Sequence, residues 1–207
     1  MVRSLWVCVS LLSLIMIIVA MRRILHLSAP TAELGTGFDQ HPLLTLAHIL
    51  PGIVFVVLGP FQFMAGLRKR HPALHRWMGR VFLCDSLLIG VTALVMSPQM
   101  AIGGGVETAA TFVFGALFLF ALGRGFAAIR ARRIAEHRRW MIRAYAIGLA
   151  VATVRPIVGI FFATGRLTHL TPHDFFGIAF WLGFLISIAV AEAWIRVTSQ
   201  RRQSNRA

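Results

Sequence analysis

Long apolar runs alternate with short polar or basic stretches along the whole chain. Six runs are candidates for membrane-crossing helices, and they lie at about 4–21, 43–66, 81–97, 107–129, 141–164 and 175–195. A spanning helix needs roughly 20 apolar residues to cover the hydrocarbon of a bilayer, and the third run is the shortest of the six. The pattern therefore predicts an all-α fold, a polytopic membrane protein with six transmembrane helices in one bundle.

The stretches between the runs are too short to separate two domains. We expect an N-terminal transmembrane helix at 1–21, an outer loop at 22–42, a five-helix core at 43–195 and a basic tail at 196–207. The first run has the apolar core of a secretory signal. Arg22 and Arg23 follow it directly, however, and no cleavage site of small residues is present, so we predict an uncleaved helix. Cys8 and Cys84 fall inside apolar runs, so we expect them to be buried and not joined in a disulfide.

Composition supports the membrane assignment. Of the 207 residues, 57% are hydrophobic and only 14% are charged. A soluble domain of this size has too little interior to bury so many apolar side chains.

The distribution of the basic residues predicts how the chain is oriented. If the N-terminus is cytoplasmic, 16 of the 21 Lys and Arg residues lie on the cytoplasmic side and three lie in outer loops. This is the positive-inside pattern, so we predict a multi-pass protein of the bacterial inner membrane with both termini in the cytoplasm. No basic segment is long enough to form a separate nucleic-acid-binding domain, so the net charge of +14 does not indicate a nucleic-acid partner.

Two similar blocks give the chain a weak repeat of helix hairpins. HRWMGR at 75–80 and HRRWMIR at 137–143 each lead into an apolar run. One interpretation is that they are anchors, because Trp77 and Trp140 suit headgroup depth and the Arg residues are topology signals. That interpretation leaves His75 and His137 unexplained, since neutral imidazoles add little to topology. The alternative is that the two histidines frame one shared site.

Several polar side chains are predicted to lie inside the membrane, where they usually point to a partner or a cavity. Arg155 precedes Pro156 near the middle of the fifth run, and His48 and Glu107 lie at comparable depth. This arrangement fits either a cavity or a buried structural pair. A kink at Gly59-Pro60 is expected to turn Gln62 toward the bundle.

A second intramembrane group lies near the cytoplasmic ends of the runs. Asp85, Arg124 and Glu192 share a depth there, and we expect them to form a neutralised cluster. Glu192 alternatively pairs with Arg196, one helical turn further along.

Five short motifs resemble those of a known family. They are HILPG from His48, GPFQF from Gly59, HRWMGR, HRRWMIR and VRPIVG from Val154. Together they resemble the bacterial membrane proteins of domain-of-unknown-function family 2306 over about residues 43–195. The resemblance implies a compact helical inner-membrane protein, and it implies no activity.

Three function classes remain open. The first is a haem- or metal-linked redox or respiratory-assembly role, with His48, His75 and His137 as candidate ligands of haem b or a transition metal. The second is a small transporter or channel with a cavity around Arg155 and His48. The third is a non-catalytic factor that binds anionic lipid headgroups, a second copy of the chain or a respiratory partner. No catalytic motif decides whether the protein is an enzyme.

Overall fold

Seven α-helices make up nearly all of residues 2–28 and 40–204, the part of the chain that the computed structural model describes. They are α1 (Val2–Ser28), α2 (Pro42–Phe63), α3 (Ala65–Arg70), α4 (Pro72–Met100), α5 (Gly104–Arg130), α6 (Ile134–Thr168) and α7 (Pro172–Ser204). Six of these are long and apolar enough to cross a membrane, and the short α3 connects two of them. The prediction of an all-α bundle with six spanning helices is confirmed.

The helices extend beyond the apolar windows. The predicted third and fifth runs begin at about 81 and 141, whereas α4 begins at Pro72 and α6 begins at Ile134. The HRWMGR and HRRWMIR blocks are therefore both helical, because a helix continues through polar residues that a hydropathy window excludes. Proline at the start of α4 is compatible with helix, since the first-turn N–H groups have no intrahelical acceptor. The predicted outer loop falls largely on residues 29–39, outside the described residues.

The C-terminal helix includes most of the predicted basic tail. α7 runs to Ser204, past the boundary expected at 196, and α1 runs to Ser28 through Arg22 and Arg23. Residues 205–207 lie outside the described part of the chain.

α6 lies at the centre of the bundle, where it contacts α1, α5 and α7. α2 packs on α4, and α4 packs on α5. Short connections make the neighbouring long helices antiparallel. We call the end that carries residues 64–71 and 131–133 the basic end, and the end that carries residues 101–103 and 169–171 the opposite end.

An aromatic cluster fills the middle of the bundle and depends on one glycine. Tyr145 of α6 packs against Phe55, Phe63 and Phe82, with ring centroids 5.4, 5.4 and 6.3 Å away. A Cβ at Gly59 would lie 2.0 Å from Cε2 of the Tyr145 ring. The Gly59 position therefore lets α2 approach α6 closely, as small residues do between membrane helices.

Gln62 turns toward the bundle, as expected. Its Oε1 lies 3.3 Å from the position that a Cβ of Gly79 would occupy on α4, and its Nε2 is buried with no hydrogen-bond partner among the described residues. α2 continues through both Pro51 and Pro60 to Phe63.

The expectation for the cysteines was wrong. Cys8 and Cys84 are both exposed on the bundle surface. In a membrane protein the outward helix faces are apolar as well, so an apolar neighbourhood in sequence does not distinguish a lipid-facing cysteine from a buried one.

Candidate functional site

The six long helices enclose a cavity of about 470 Å³ in the half of the bundle near the opposite end. This volume is within the range of roughly 300–1,000 Å³ that is typical of small-molecule sites. Most of the wall is apolar, and it includes the six aromatic side chains Phe55, Phe114, Phe118, Phe176, Phe180 and Phe184. An apolar ligand body can therefore be accommodated here.

Charged side chains occupy part of the same wall. Arg22 and Arg23 of α1, Glu107 of α5 and Arg155 of α6 all line the cavity. Three guanidinium groups thus face one carboxylate, so the charged lining is predominantly positive.

Arg155 is the most deeply placed of these cations. Its Nε is buried and has no hydrogen-bond partner in the described residues. Glu107 attracts its charge, and Arg23 repels it. Pro156 follows directly and has no N–H, so the Ala152 carbonyl one turn earlier lacks its usual helical donor. Arg155 lines the cavity, and a guanidinium carries five N–H donors, so this side chain can donate to a ligand oxygen there.

Glu107 is held by the start of its own helix. Its Oε2 accepts a hydrogen bond from the backbone N–H of Gly103, with an N–O distance of 2.6 Å. It lies in the first turn of α5, where the helix dipole favours a negative charge. The Glu107 carboxylate therefore balances part of the Arg155 charge without bonding its Nε.

The ring of His48 is oriented by Thr92. His48 Nδ1 lies 2.9 Å from Thr92 Oγ1, and that hydroxyl donates to the Leu88 carbonyl at 2.7 Å. Because the hydroxyl has only one proton, Nδ1 must be the donor to Thr92. Nε2 is then the lone-pair nitrogen of a neutral imidazole. His48 thus adds a hydrogen-bond acceptor to the cavity.

A separate polar network lies at the basic end. Arg143 of α6 bonds Glu192 of α7, and Arg124 of α5 bonds Glu136 of α6 at 3.1 Å. Trp140 lies between the two pairs, with the Arg143 and Arg124 guanidinium carbons 4.7 and 5.5 Å from its ring centroid.

The expected cluster of Asp85, Arg124 and Glu192 is therefore not formed. Arg124 pairs with Glu136, because a short turn joins α5 to α6 and brings these side chains together. Glu192 pairs with Arg143 and not with Arg196. Asp85 has one buried carboxylate oxygen, Oδ2, with no hydrogen-bond partner in the described residues. A shared depth could not show which helix faces are adjacent.

The two histidines of the repeated blocks lie within electrostatic reach of each other. His137 Nδ1 lies 2.8 Å from the Gly125 carbonyl oxygen, which can only accept, so Nδ1 is the donor. His75 Nδ1 is buried without a partner among the described residues. Over residues 2–28 and 40–204, no three His, Cys, Asp or Glu side chains converge in a metal-binding group.

The two blocks differ in their surroundings. Trp77 is 60% exposed on the outer face of α4, whereas Trp140 packs edge-on against Phe120 and lies within the ion-pair network. The sequence repeat therefore produces one lipid-facing block and one block that joins three helices.

Sequence reasoning missed Thr92, Glu136 and the contribution of Arg22 and Arg23 to the cavity. The partnership of Thr92 with His48 joins residues 44 apart and leaves no sequence signal. Arg22 and Arg23 did leave one. Most Lys and Arg residues lie on the predicted cytoplasmic side, so two adjacent arginines at the outer end of a predicted span are an exception to that pattern. Such an exception indicates that the two side chains have a specific structural role.

Comparison with known proteins identifies a family. The model of the family described as "Predicted membrane protein (DUF2306)" matches residues 45–195. No match was found among curated proteins, and none among solved structures.

Proposed function

Because the chain belongs to this DUF2306 family of predicted membrane proteins, we propose that it is a membrane-embedded binding protein for an acidic amphiphile. Such a ligand has an apolar body and a carboxylate or phosphate head. The observation that carries this proposal is the cavity, whose largely apolar wall includes the cationic side chain of Arg155.

The charge of the lining supports an anionic head. Glu107 offsets part of the positive charge of Arg155, and the side chains of Arg22 and Arg23 also line the cavity. An arriving carboxylate or phosphate would accept from the guanidinium in a low-dielectric site, where charge-assisted hydrogen bonds are strong. A neutral head would not offer the Arg155 side chain a charge-assisted hydrogen bond.

The wall supports a substantial apolar body. Phe114 and Phe118 of α5 line the cavity with Phe180 of α7, and Gly52 leaves open space on α2, since no atom lies within 4 Å of its Cβ position. Burial of apolar surface would supply most of the affinity, whereas the few polar groups would fix the head. His48 Nε2 would accept from a hydroxyl or a protonated acid.

The orientation that we propose for the protein in the membrane follows from the concentration of Lys and Arg residues at the basic end. We place both termini in the cytoplasm and the protein in the bacterial inner membrane, as the positive-inside pattern indicates. The cavity then belongs to the outer half of the bilayer. Binding at this depth is the step that a passive binding protein and a carrier share.

The haem or metal hypothesis stays a prediction with its own test. His75 and His137 lie within electrostatic reach, and His48 has a lone pair in the cavity. Purified protein should be examined by absorption spectroscopy and elemental analysis. A Soret band or a stoichiometric metal that disappears in His75→Ala or His137→Ala would support a redox or assembly role.

A fluorescent fatty acid tests the amphiphile proposal. We would titrate detergent-purified protein with a conjugated polyene fatty acid whose absorption overlaps tryptophan emission. Trp181 is a suitable energy donor, because its ring packs edge-on at 5.2 Å against the cavity residue Phe114. We expect saturable energy transfer that is displaced by unlabelled fatty acid.

The methyl ester of the same polyene acid is the matched control. It keeps the apolar body and removes the charge, so it should bind about tenfold or more weakly, as expected from the loss of a charged hydrogen bond worth roughly 1.5–3 kcal/mol. Equal affinity of acid and ester would contradict the proposal.

A further inference from the structure

A groove on the outer face of α4 is separate from the cavity. It is lined by Arg80, Val81, Cys84, Asp85 and Leu88. Asp85 Oδ2 is buried and has no hydrogen-bond partner among the described residues, and no ion pair within that part of the chain involves Arg80. The groove thus contains one acid and one base for which residues 2–28 and 40–204 supply no ion-pair partner.

An unpaired carboxylate at this position is costly. Asp85 lies within the membrane-crossing helix Pro72–Met100, and its side chain lines the groove at the bundle surface. Ionisable groups in a membrane usually pair with one another or face a polar cavity. Arg124, the cation expected for Asp85 from sequence, is bonded to Glu136 instead. The described part of the chain therefore supplies no cation to Asp85.

The same face of α4 has the spacing of a helix-pairing seam. Apolar side chains that are exposed or half-exposed recur at alternating intervals of three and four residues: Leu74, Trp77, Val81, Cys84, Leu88, Val91 and Val95. The opposite face, with Phe82, Ser86 and Gly90, is buried in the bundle. A 3–4 spacing is the pattern by which two helices pack side by side along their length.

The groove has the form of a hole for one side chain. Val81, Cys84, Asp85 and Leu88 are at positions i, i+3, i+4 and i+7, which are the four corners of a knobs-into-holes site. In this register Arg80 and Asp85 occupy the flanking positions that form ion pairs between parallel helices. Five residues correspond to about 7.5 Å along a helix, a rise that an extended arginine side chain can span.

We propose that two copies of this chain form a parallel dimer through this face of α4. Arg80 of each copy pairs with Asp85 of the other, and Cys84 of each copy enters the hole of the other. A twofold axis along the membrane normal makes the contact self-complementary. Charge complementarity within the groove identifies a second copy as the occupant, because each copy supplies the base that the other copy's acid lacks. Packing and interhelical polar contacts then hold the helices together, as in other membrane bundles.

Oxidative cross-linking of Cys84 tests the dimer. The chain has only two cysteines, so Cys8→Ser leaves Cys84 as the single thiol. Copper-phenanthroline treatment of membranes should convert this variant to a product of twice the monomer mass of 22.9 kDa. The cross-linked fraction should stay constant when the protein is diluted with lipid. A product that disappears on dilution would indicate random collisions and would overturn the proposal.

A matched control places the thiol on another helix. Leu117→Cys in a Cys8→Ser/Cys84→Ser background places the thiol on the exposed face of α5, where Leu117 is 43% exposed. It should yield monomer under the same oxidation. Equal cross-linking at positions 84 and 117 would overturn the assignment of the interface to α4.

Charge exchange tests the ion pairs. Arg80→Asp and Asp85→Arg should each reduce the Cys84 product toward the Leu117→Cys level, since each creates like-charge contacts. The double exchange should restore the product, because it re-forms both pairs with the signs reversed. Failure of the double variant to recover, with both single variants still inserted in the membrane, would overturn the reciprocal pairing.

Discussion

Arg143 and Glu192 form an ion pair with two hydrogen bonds between α6 and α7, with Nε to Oε1 at 2.5 Å and Nη2 to Oε2 at 3.0 Å. The same guanidinium lies over the ring of Trp140. The last arginine of the HRRWMIR block therefore connects the central helix to the C-terminal helix, and the tryptophan of the block connects the central helix to α5 through Phe120 and Arg124.

Glu192→Gln should lower the stability of the bundle. The change removes a charge-assisted bidentate pair that is only partly exposed, so we expect a loss of about 1–2 kcal/mol, measured as a lower midpoint of thermal unfolding in detergent. Glu136→Gln is the matched control and should have the smaller effect, because its two partners Arg124 and Arg133 are 50% and 66% exposed whereas Arg143 is 28% exposed. A larger effect of Glu136→Gln would contradict this ranking.

Gly59→Ala should destabilise the protein. The added methyl group would overlap the Tyr145 ring, and overpacking of this kind costs roughly 1–3 kcal/mol. Gly52→Ala on the same helix is the control, since no atom lies within 4 Å of its Cβ position. Thermal unfolding of the two variants in one detergent gives the comparison, and equal midpoints would refute the close approach of α2 to α6.

Trp140→Ala should be more harmful than Trp77→Ala. Trp140 contacts two guanidinium groups and Phe120, whereas Trp77 is 60% exposed on the surface of α4. A cation–π contact contributes about 0.5–1 kcal/mol even at an exposed site. Folded yield and unfolding temperature are the measurements. Equivalent losses for the two tryptophans would mean that the blocks act alike, as simple anchors.

A reporter fused after Ala207 should be cytoplasmic, and one inserted near Gly35 should be external. Sixteen basic residues on the predicted cytoplasmic side against three in outer loops set this orientation. Enzymatic reporters that are active on only one side of the membrane give the answer. An external C-terminal reporter would contradict the predicted topology.

The fold could be predicted from the sequence because hydropathy alone marks a spanning helix. Each of the six windows corresponds to a long helix. Helix ends were less predictable. The basic residues before positions 81 and 141 lower the local hydropathy although their backbone is helical. Hydropathy also could not distinguish outward from inward faces, as Cys84 shows.

The sequence predicted which residues belong to the candidate sites better than it predicted the contacts between them. Intramembrane polarity singled out Arg155, His48 and Glu107, and the structure brings all three to one cavity. The predicted partner of Arg124 was wrong because several acidic residues share its depth. Only the rotation of each helix about its axis decides which of these acids contacts Arg124. Thr92 was missed for the same reason, since nothing in the sequence indicates which side chain a threonine on an apolar helix will contact.

The most direct test of the cavity is the dissociation constant of the polyene fatty acid for Arg155→Gln. Loss of a charged donor to the ligand head should weaken binding about 10- to 100-fold, while Arg155→Lys, which keeps the charge, should recover part of the affinity. Arg139→Gln, the same change at an exposed site of the basic end, should bind as the unmodified protein does. An unchanged dissociation constant for folded Arg155→Gln would contradict the assignment of the head-binding role to this arginine.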